Sequence, residues 1–340
     1  MLNWYLQNGK ESDVVISSRI RLARNLRDFP FEPKMKKEEQ QALVEKLKEV
    51  MPSLGYGLKI WKLKDMDTIT KLSLVEKRII SPDFLNKEET ESAIAINEEE
   101  NICFMINEED HLRMQFFAPG FDLENLLNLA IEVEEKLGKL VSFAYHKDYG
   151  FLTACPTNVG TAMRASVMVH LPGLSQTGNI RKILEVINNF GMNIRGIYGE
   201  GSKTVGDMYQ ISNKQTLGIT ETEILKNLKI ITEKIVEQER LARKYLGKDT
   251  ITLEDKVYRA YGILSQCRKI SSSELNELLS EIKMGTDLGI IKELTDLKVK
   301  KLNILTKPAS LQKYFGKEMA GEERDQKRAE LIQLILKEQE

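Results

Sequence analysis

Residues 93–117 read AIAINEEENICFMINEEDHLRMQFF, three apolar runs separated by two short polar turns. The runs 93–96, 102–106 and 111–117 have strand length, and the turns between them are too short for the crossover helix that parallel strands need. Strands joined this way pair antiparallel. Working outward, 141–145, 167–171, 194–198 and 208–211 read as further strands bounded by Gly, Pro, Asn and charged turns. Apolar residues at helical spacing occupy 37–51, stopping at Pro52, then 122–138 behind Asp122 as N-cap, and 179–190 ahead of Gly191. The expected fold is α+β, an antiparallel sheet flanked by helices that pack on one of its faces.

Thr220 and Glu223 form a capping box for a long helix that ends near Gly247. Beyond Lys248, Asp249 and Thr250 the strand signal fades, and 253–267, 271–284 and 322–337 are helical in pattern. This divides the chain into an expected catalytic domain, residues 1–247, and a helical C-terminal domain, residues 250–340. Across 340 residues, 50 Lys+Arg against 51 Asp+Glu give a net charge of -1, which argues against a polybasic nucleic-acid binder. Cys103, Cys155 and Cys267 lie too far apart for a zinc site or a disulfide framework, and a reducing cytoplasm is the simplest setting. Neither an export signal nor a membrane span is visible. His111, His146 and His170 fall in no ligand pattern, so no bound transition metal is expected.

Four constellations carry possible chemistry. In Ser17-Ser18-Arg19-Ile20-Arg21, a continuing strand would put Arg19 and Arg21 on one face, where planar guanidinium forks suit phosphate oxygens; a solvated edge strand would carry the same charges. In Asn107-Glu108-Glu109-Asp110-His111-Leu112-Arg113, a carboxylate could grip a cation or accept a proton, or the acids could simply form an exposed turn. Cys155 precedes Pro156 in a polar, glycine-containing turn, where cations nearby would favour its thiolate, although a lone cysteine is often a small buried hydrophobe. The stretch Arg195 to Thr204, RGIYGEGSKT, nearly spells a P-loop, but it leads into a strand rather than a helix and reads as a glycine-punctuated lid with Glu200 at its tip.

The order SSRIRLAR, NEEDHLR, CPTNVGTAMRASV, RGIYGEG and YQISNKQTLGITE resembles the phosphagen (guanidino) kinases over about residues 12 to 245. The resemblance implies an ATP- and Mg²⁺-dependent site in which Arg19, Arg21, Arg113, Arg164 and Arg195 surround the nucleotide phosphates. The flanking Ser17, Ser18, Ile20, Ala165, Ser166, Val167, Met168, Gly196, Ile197, Tyr198, Gly199 and Glu200 complete the nucleotide-binding stretches it implies. Glu109 and Glu200 would hold the acceptor guanidinium beside Cys155, with one acid as base and the thiolate as an assistant. Arg78, in LVEKRIISP, stands where a histidine near the nucleotide base is expected.

Two features set the chain apart from the enzymes that act on free guanidines. SSRIR begins at residue 17, leaving no room for the usual N-terminal helical domain and its small-substrate loop. The extra C-terminal region also carries Arg324-Asp325-Gln326-Lys327-Arg328-Ala329. Both resemble the bacterial branch of the family that phosphorylates arginine side chains on proteins, in which an RDxxRA motif would bind phosphoarginine through Arg324, Asp325 and Arg328. Its implied partners are proteins bearing exposed arginines, an activator protein of the McsA type, the Clp protease machinery and a second copy of the chain in a homodimer or higher oligomer. Neither membrane nor nucleic acid belongs among them. A kinase of free arginine or another small guanidine, and a non-catalytic phosphoarginine-binding adaptor, are the competing readings.

Overall fold

The computed structural model describes residues 3–87, 90–196, 204 and 206–338. Its strands are β1 (Val15–Arg24), β2 (Lys59–Lys62), β3 (Ala93–Ile96), β4 (Ile102–Ile106), β5 (Leu112–Pro119), β6 (Tyr145–His146), β7 (Gly150–Phe151), β8 (Met163–His170), β9 (Met192–Gly196) and β10 (Met208–Asn213). Eight of them form one sheet in the order β2-β3-β4-β5-β1-β8-β10-β9, and every pairing is antiparallel. The meander β3–β4–β5 stands where the alternating runs place it. Its two turns depend on residues that tolerate a left-handed backbone, Glu100 at φ 58° and Asn107 at φ 59°. Asn107 turns its amide inward, donating to the carbonyls of Glu91 and Gln40.

The helices are α1 (Lys37–Val50), α2 (Thr68–Glu76), α3 (Leu123–Gly138), α4 (Pro172–Gln176), α5 (Ile180–Asn189), α6 (Glu221–Leu246), α7 (Thr250–Gln266), α8 (Ser272–Asp287), α9 (Asp296–Leu305), α10 (Pro308–Phe315) and α11 (Gly321–Lys337). The Thr220–Glu223 capping box opens α6 as expected. Two expectations need correction. Asp122 precedes α3 but does not cap it; its carboxylate instead accepts from the Asn125 side chain. Residues 141–145 contribute little strand, because their backbone partners are Asn25 and Arg27 just past the end of β1. Four helices, α2, α4, α9 and α10, carried no periodic signal that singled them out.

Period-two alternation along β1 divides the sheet into two chemically different faces. Ile20 and Leu22, with Phe104, Met114, Phe116, Ala165, Val167 and Ile211, pack against apolar side chains of α1, α3 and α6 in one large core. Helices also touch the other face, which corrects the one-face expectation. There a smaller cluster of Leu63, Leu74, Ile79, Phe84, Ile94, Cys103 and Met105 covers the β2–β5 end, with Trp4 stacked on Phe117 at 5.1 Å between ring centroids. The centre of that face, at β5, β1 and β8, is left to polar side chains. Helices α7 to α11 enclose a third apolar cluster of their own.

A buried polar network ties these parts together. Glu239 of α6, with no exposed surface, accepts from the backbone N–H groups of Gly173 and Leu174 at 2.8 and 2.9 Å and from Arg243 Nε at 2.7 Å. Arg243 reaches on to Asp287 at the end of α8 and to the carbonyls of Asp13 and His170. Removing one member strands a buried charge, which costs far more than the pair contributes. Glu239→Ala is therefore expected to lower unfolding free energy by about 3–5 kcal/mol in urea titration, whereas truncating the exposed Lys229–Glu124 pair should cost under about 1 kcal/mol.

Candidate active site

Register places the basic residues. On β1, Arg21 lies opposite Gln115 of β5 and Arg164 of β8, while Arg19 lies opposite Phe117 and Ser166. Arg113 faces Ala23 from β5, and the ladder continues from Ser17 to Met168, from Met168 to Gln210, and from Gln210 to Arg195. Directly paired residues share a face, so Arg19, Arg21, Arg113, Arg164 and Arg195 converge on the polar one. Ser17, Ser166 and Met168 join them. Ser18, Ile20, Ala165 and Val167, expected beside the nucleotide, alternate onto the core face and bring no side chain to the cluster. Ser18 is spent there, donating to the Gly120 carbonyl and accepting from the Asp122 N–H. Gly196 ends β9; Ile197, Tyr198, Gly199 and Glu200 lie outside the described residues.

So many guanidinium groups on one patch repel each other. Burial, then the charges of Arg113, Arg78 and Arg164, push the proton affinity of Arg19 down to about 9, still charged at neutral pH. Arg21 is pushed well below its ordinary value by burial and by Arg113, Arg19 and Arg164, and Arg164 falls through burial, Arg195 and Arg113. The direct contacts of Arg19 are weak, Nε to Ser166 Oγ at 3.4 Å and Nη1 to Gln115 Oε1 at 3.5 Å. A polyanion would relieve this repulsion and take up the donors at once.

The acidic turn sorts into separate roles that its sequence concealed. Glu108 is buried and ion-paired with Arg113, and it also accepts from Ser81 Oγ at 2.7 Å. Asp110, also buried, accepts from Asn25 Nδ2 at 2.6 Å and from the Ala154 N–H at 2.7 Å, and burial raises its carboxyl pKa. His111 Nδ1 accepts from the Leu26 N–H, so Nε2 carries the proton and donates to the Pro30 carbonyl; burial pushes its pKa down and keeps the ring neutral. Only Glu109 is exposed, held lightly by Asn158 Nδ2 at 3.4 Å.

The Asp110–Ala154 bond docks the turn carrying Cys155 against the turn carrying Glu109. Cys155 Sγ sits 3.1 Å from Thr157 Oγ1, and Thr153 Oγ1 donates to the Cys155 carbonyl at 2.8 Å. Gly160 closes this loop at φ 115°, where a β-carbon would stand 2.1 Å from the Thr216 carbonyl oxygen. Glu109, Arg21, Arg113, Arg164, Asn158 and Thr216 then line one pocket. A second cavity farther along β1 is lined by Ser17, Arg19, Arg78, Ser166, Met168 and Gln210. From residue 23 back to residue 17, β1 thus runs from an acid-bearing pocket to a trough that Trp4, Phe117 and Met168 also line. Glu108, Asp110, Asn25 and Gln115 were not legible as site residues, since only the tertiary register gives them partners.

The RDxxRA residues lie on α11, away from this patch. Arg328 is almost fully buried and turned inward, Nε to the Thr306 carbonyl at 2.9 Å and Nη1 to the Ile270 carbonyl at 2.7 Å and to Asp325 Oδ1 at 2.5 Å. Of the three residues that the resemblance implies for phosphoarginine, Arg328 therefore turns inward and already faces Asp325, while Arg324 and Asp325 are half-buried. Among the described residues no group of three His, Cys, Asp or Glu side chains is placed to hold a metal ion, and no helix is long and apolar enough to cross a membrane.

Comparison with known proteins accounts for both parts of the chain. Residues 34–242 match the ATP:guanido phosphotransferase C-terminal catalytic domain, and residues 250–340 match the protein-arginine kinase McsB C-terminal domain. A protein-arginine kinase of Halothermothrix orenii is 46% identical over 336 residues, covering 98% of this chain and 96% of the relative. That of Halalkalibacterium halodurans is 44% identical, covering 98% and 95%. Among solved structures, the substrate-free duplicated taurocyamine kinase from Schistosoma mansoni superposes with TM-score 0.60 at 27% identity, over 74% of this chain and 39% of that longer one. Lombricine kinase gives TM-score 0.59 at 25% identity, over 70% and 69%. The chain belongs to the ATP:guanido phosphotransferase family and, within it, to the protein-arginine kinases.

Proposed function

We propose that this protein transfers the terminal phosphoryl group of ATP to the guanidinium of arginine side chains in other proteins. The observation that carries the reading is Glu109, the exposed acid of the 107–113 turn, placed at the rim of a pocket that Arg21, Arg113 and Arg164 also line. Arg19, Arg21, Arg113, Arg164 and Arg195 would hold the phosphates and neutralise charge on the transferring group, where alignment and electrostatics supply most of the acceleration. Charge neutralisation beyond what these arginines provide would come from Mg²⁺ bound with the nucleotide. The trough at Met168 and Gln210 lies toward the other end of β1 and would take the rest of the nucleotide.

A guanidinium is a poor nucleophile because its lone pairs are delocalised and its pKa exceeds 12. Glu109 and, by family resemblance, Glu200 would orient it and accept one proton as the nitrogen–phosphorus bond forms and the phosphorus–oxygen bond to ADP breaks. Cys155 would bias the guanidinium's orientation from beside it and forms no covalent intermediate. The catalytic unit is residues 1–247 and the helical unit residues 250–340, with Arg324, Asp325 and Arg328 as a phosphoarginine site on the latter. In this reading, modified proteins pass to Clp-dependent degradation during stress, and an activator of the McsA type and self-association regulate the enzyme in the cytoplasm.

Incubation with ATP, Mg²⁺ and an arginine-rich unfolded protein, followed by mass spectrometry under non-acidic conditions, should reveal N-linked phosphate on arginine. Phosphate appearing only on free arginine would overturn the choice of substrate. Glu109→Ala should lower turnover by about 10²-fold or more while leaving the dissociation constant of MgADP within about threefold; near-normal turnover would remove Glu109 from the chemistry. Arg324→Ala combined with Asp325→Ala should weaken binding of free phosphoarginine by at least about tenfold in calorimetry, consistent with loss of charge-assisted hydrogen bonds.

A further inference from the structure

Helix α2 ends in a Schellman motif. The Ile79 N–H reaches back to the Leu74 carbonyl at 2.9 Å and the Arg78 N–H to the Val75 carbonyl at 2.8 Å. The left-handed position of that motif, where glycine is the easy residue, is held by Arg78 at φ 64°. A strained backbone carrying a long cationic side chain calls for a reason. Arg78 lines the trough with Arg19, Met168 and Gln210, its Nη1 lies 3.4 Å from Met168 Sδ, and its charge is among those that depress the proton affinity of Arg19.

Two residues earlier, Glu76 joins this helix end to the C-terminal helices. Its carboxylate accepts the Ala309 N–H at 2.6 Å and both the N–H and the hydroxyl of Ser310 at 2.8 Å. These amides open α10, which has no side-chain cap of its own. In return, Lys307 Nζ donates to the Glu76 carbonyl at 3.0 Å. Each helix end thus receives the charge its dipole favours, a carboxylate at the N-terminus of α10 and an ammonium at the C-terminus of α2. Thr306, one residue before Lys307, is the residue whose carbonyl Arg328 grips from α11. Two hydrogen bonds joined by short stretches of covalent chain thus lead from the RDxxRA helix through Thr306, Lys307 and Glu76 to Arg78. A further cavity with Arg78 on one wall and Asn303, Ile304 and Lys307 on the other follows the same boundary.

We propose that Glu76 is a positioning residue for the nucleotide site, fastening the Arg78-bearing end of α2 to α10 so that nucleotide affinity depends on how the C-terminal helices are seated. This rests on the reading that the trough takes the nucleotide. Glu76 touches no reacting atom; it acts through Arg78.

Calorimetric titration of the full-length protein with MgADP tests it. Glu76→Ala should raise the dissociation constant about tenfold, with kcat at saturating ATP changed less than threefold. Glu76→Gln, which keeps one carbonyl acceptor, should restore part of the affinity. Once Arg78→Ala is present, adding Glu76→Ala should weaken binding less than twofold further. Affinity within twofold of the parent in Glu76→Ala, or multiplicative effects in the double variant, would overturn the proposal. Should Glu76→Ala fail to fold, Ser310→Ala and Lys307→Met approach the same junction from α10. Combined, they should weaken MgADP at least threefold, and unchanged affinity would be equally fatal. A parent protein that does not bind MgADP would remove the nucleotide reading itself, an outcome distinct from one in which the parent binds and Glu76 does not matter.

Discussion

The site depends on like charges held together. Two guanidinium groups about 6 Å apart repel by roughly 3 kcal/mol at an effective dielectric near 20, and the sheet places several within one patch. The apolar face of the same strands supplies the counterweight: Ile20, Leu22, Ala165 and Val167 are anchored in the largest core of the molecule. Backbone pairing then gives Arg19, Arg21, Arg113 and Arg164 little freedom to separate. The strain is stored in a rigid element, where an incoming polyanion can release it without reorganising the protein.

One carboxylate is built into this patch and one is kept out. Glu108 compensates Arg113 from within and receives a hydroxyl from Ser81, while the other arginines of the patch still depress one another's proton affinity. Glu109, the next residue, points to solvent at the rim. Adjacent residues reach such different environments because Asn107 reverses the chain in a left-handed conformation and Asp110 ties the turn's far side to the Cys155 loop. A short turn therefore supplies a counter-ion, an exposed acid at the pocket rim and a clamp.

Much of this was legible in the sequence because period-two alternation and turn chemistry are local. The β3–β4–β5 meander, the pairing of Arg19 with Arg21 on one face, and the α6 capping box all follow from residues within a few positions of each other. What escaped was decided at a distance. The partition between Glu108, Glu109 and Asp110 depends on Arg113, Asn25 and Ala154, which only folding brings near. Ser18 and Val167 were placed beside the nucleotide because they sit within the matching motifs, yet strand geometry turns them to the core. The RDxxRA motif implies a ligand role for Arg328, but two backbone carbonyls from other segments claim its guanidinium. The short helix α10 gave no sign because its N-terminal amides are satisfied by Glu76, more than two hundred residues upstream.

The central position of β1 also bears on biosynthesis. This strand precedes both of its neighbours, Leu112–Pro119 and Met163–His170, and so leaves the ribosome before either of them. Until they arrive, both its edges stay open, and a slip of one position would send arginines inward and isoleucine and leucine out. Such long-range closure is slow and leaves the nascent chain exposed to aggregation. Arg19 and Arg21 also protect against that failure: a strand with two charges on one face is a poor template for edge-to-edge association.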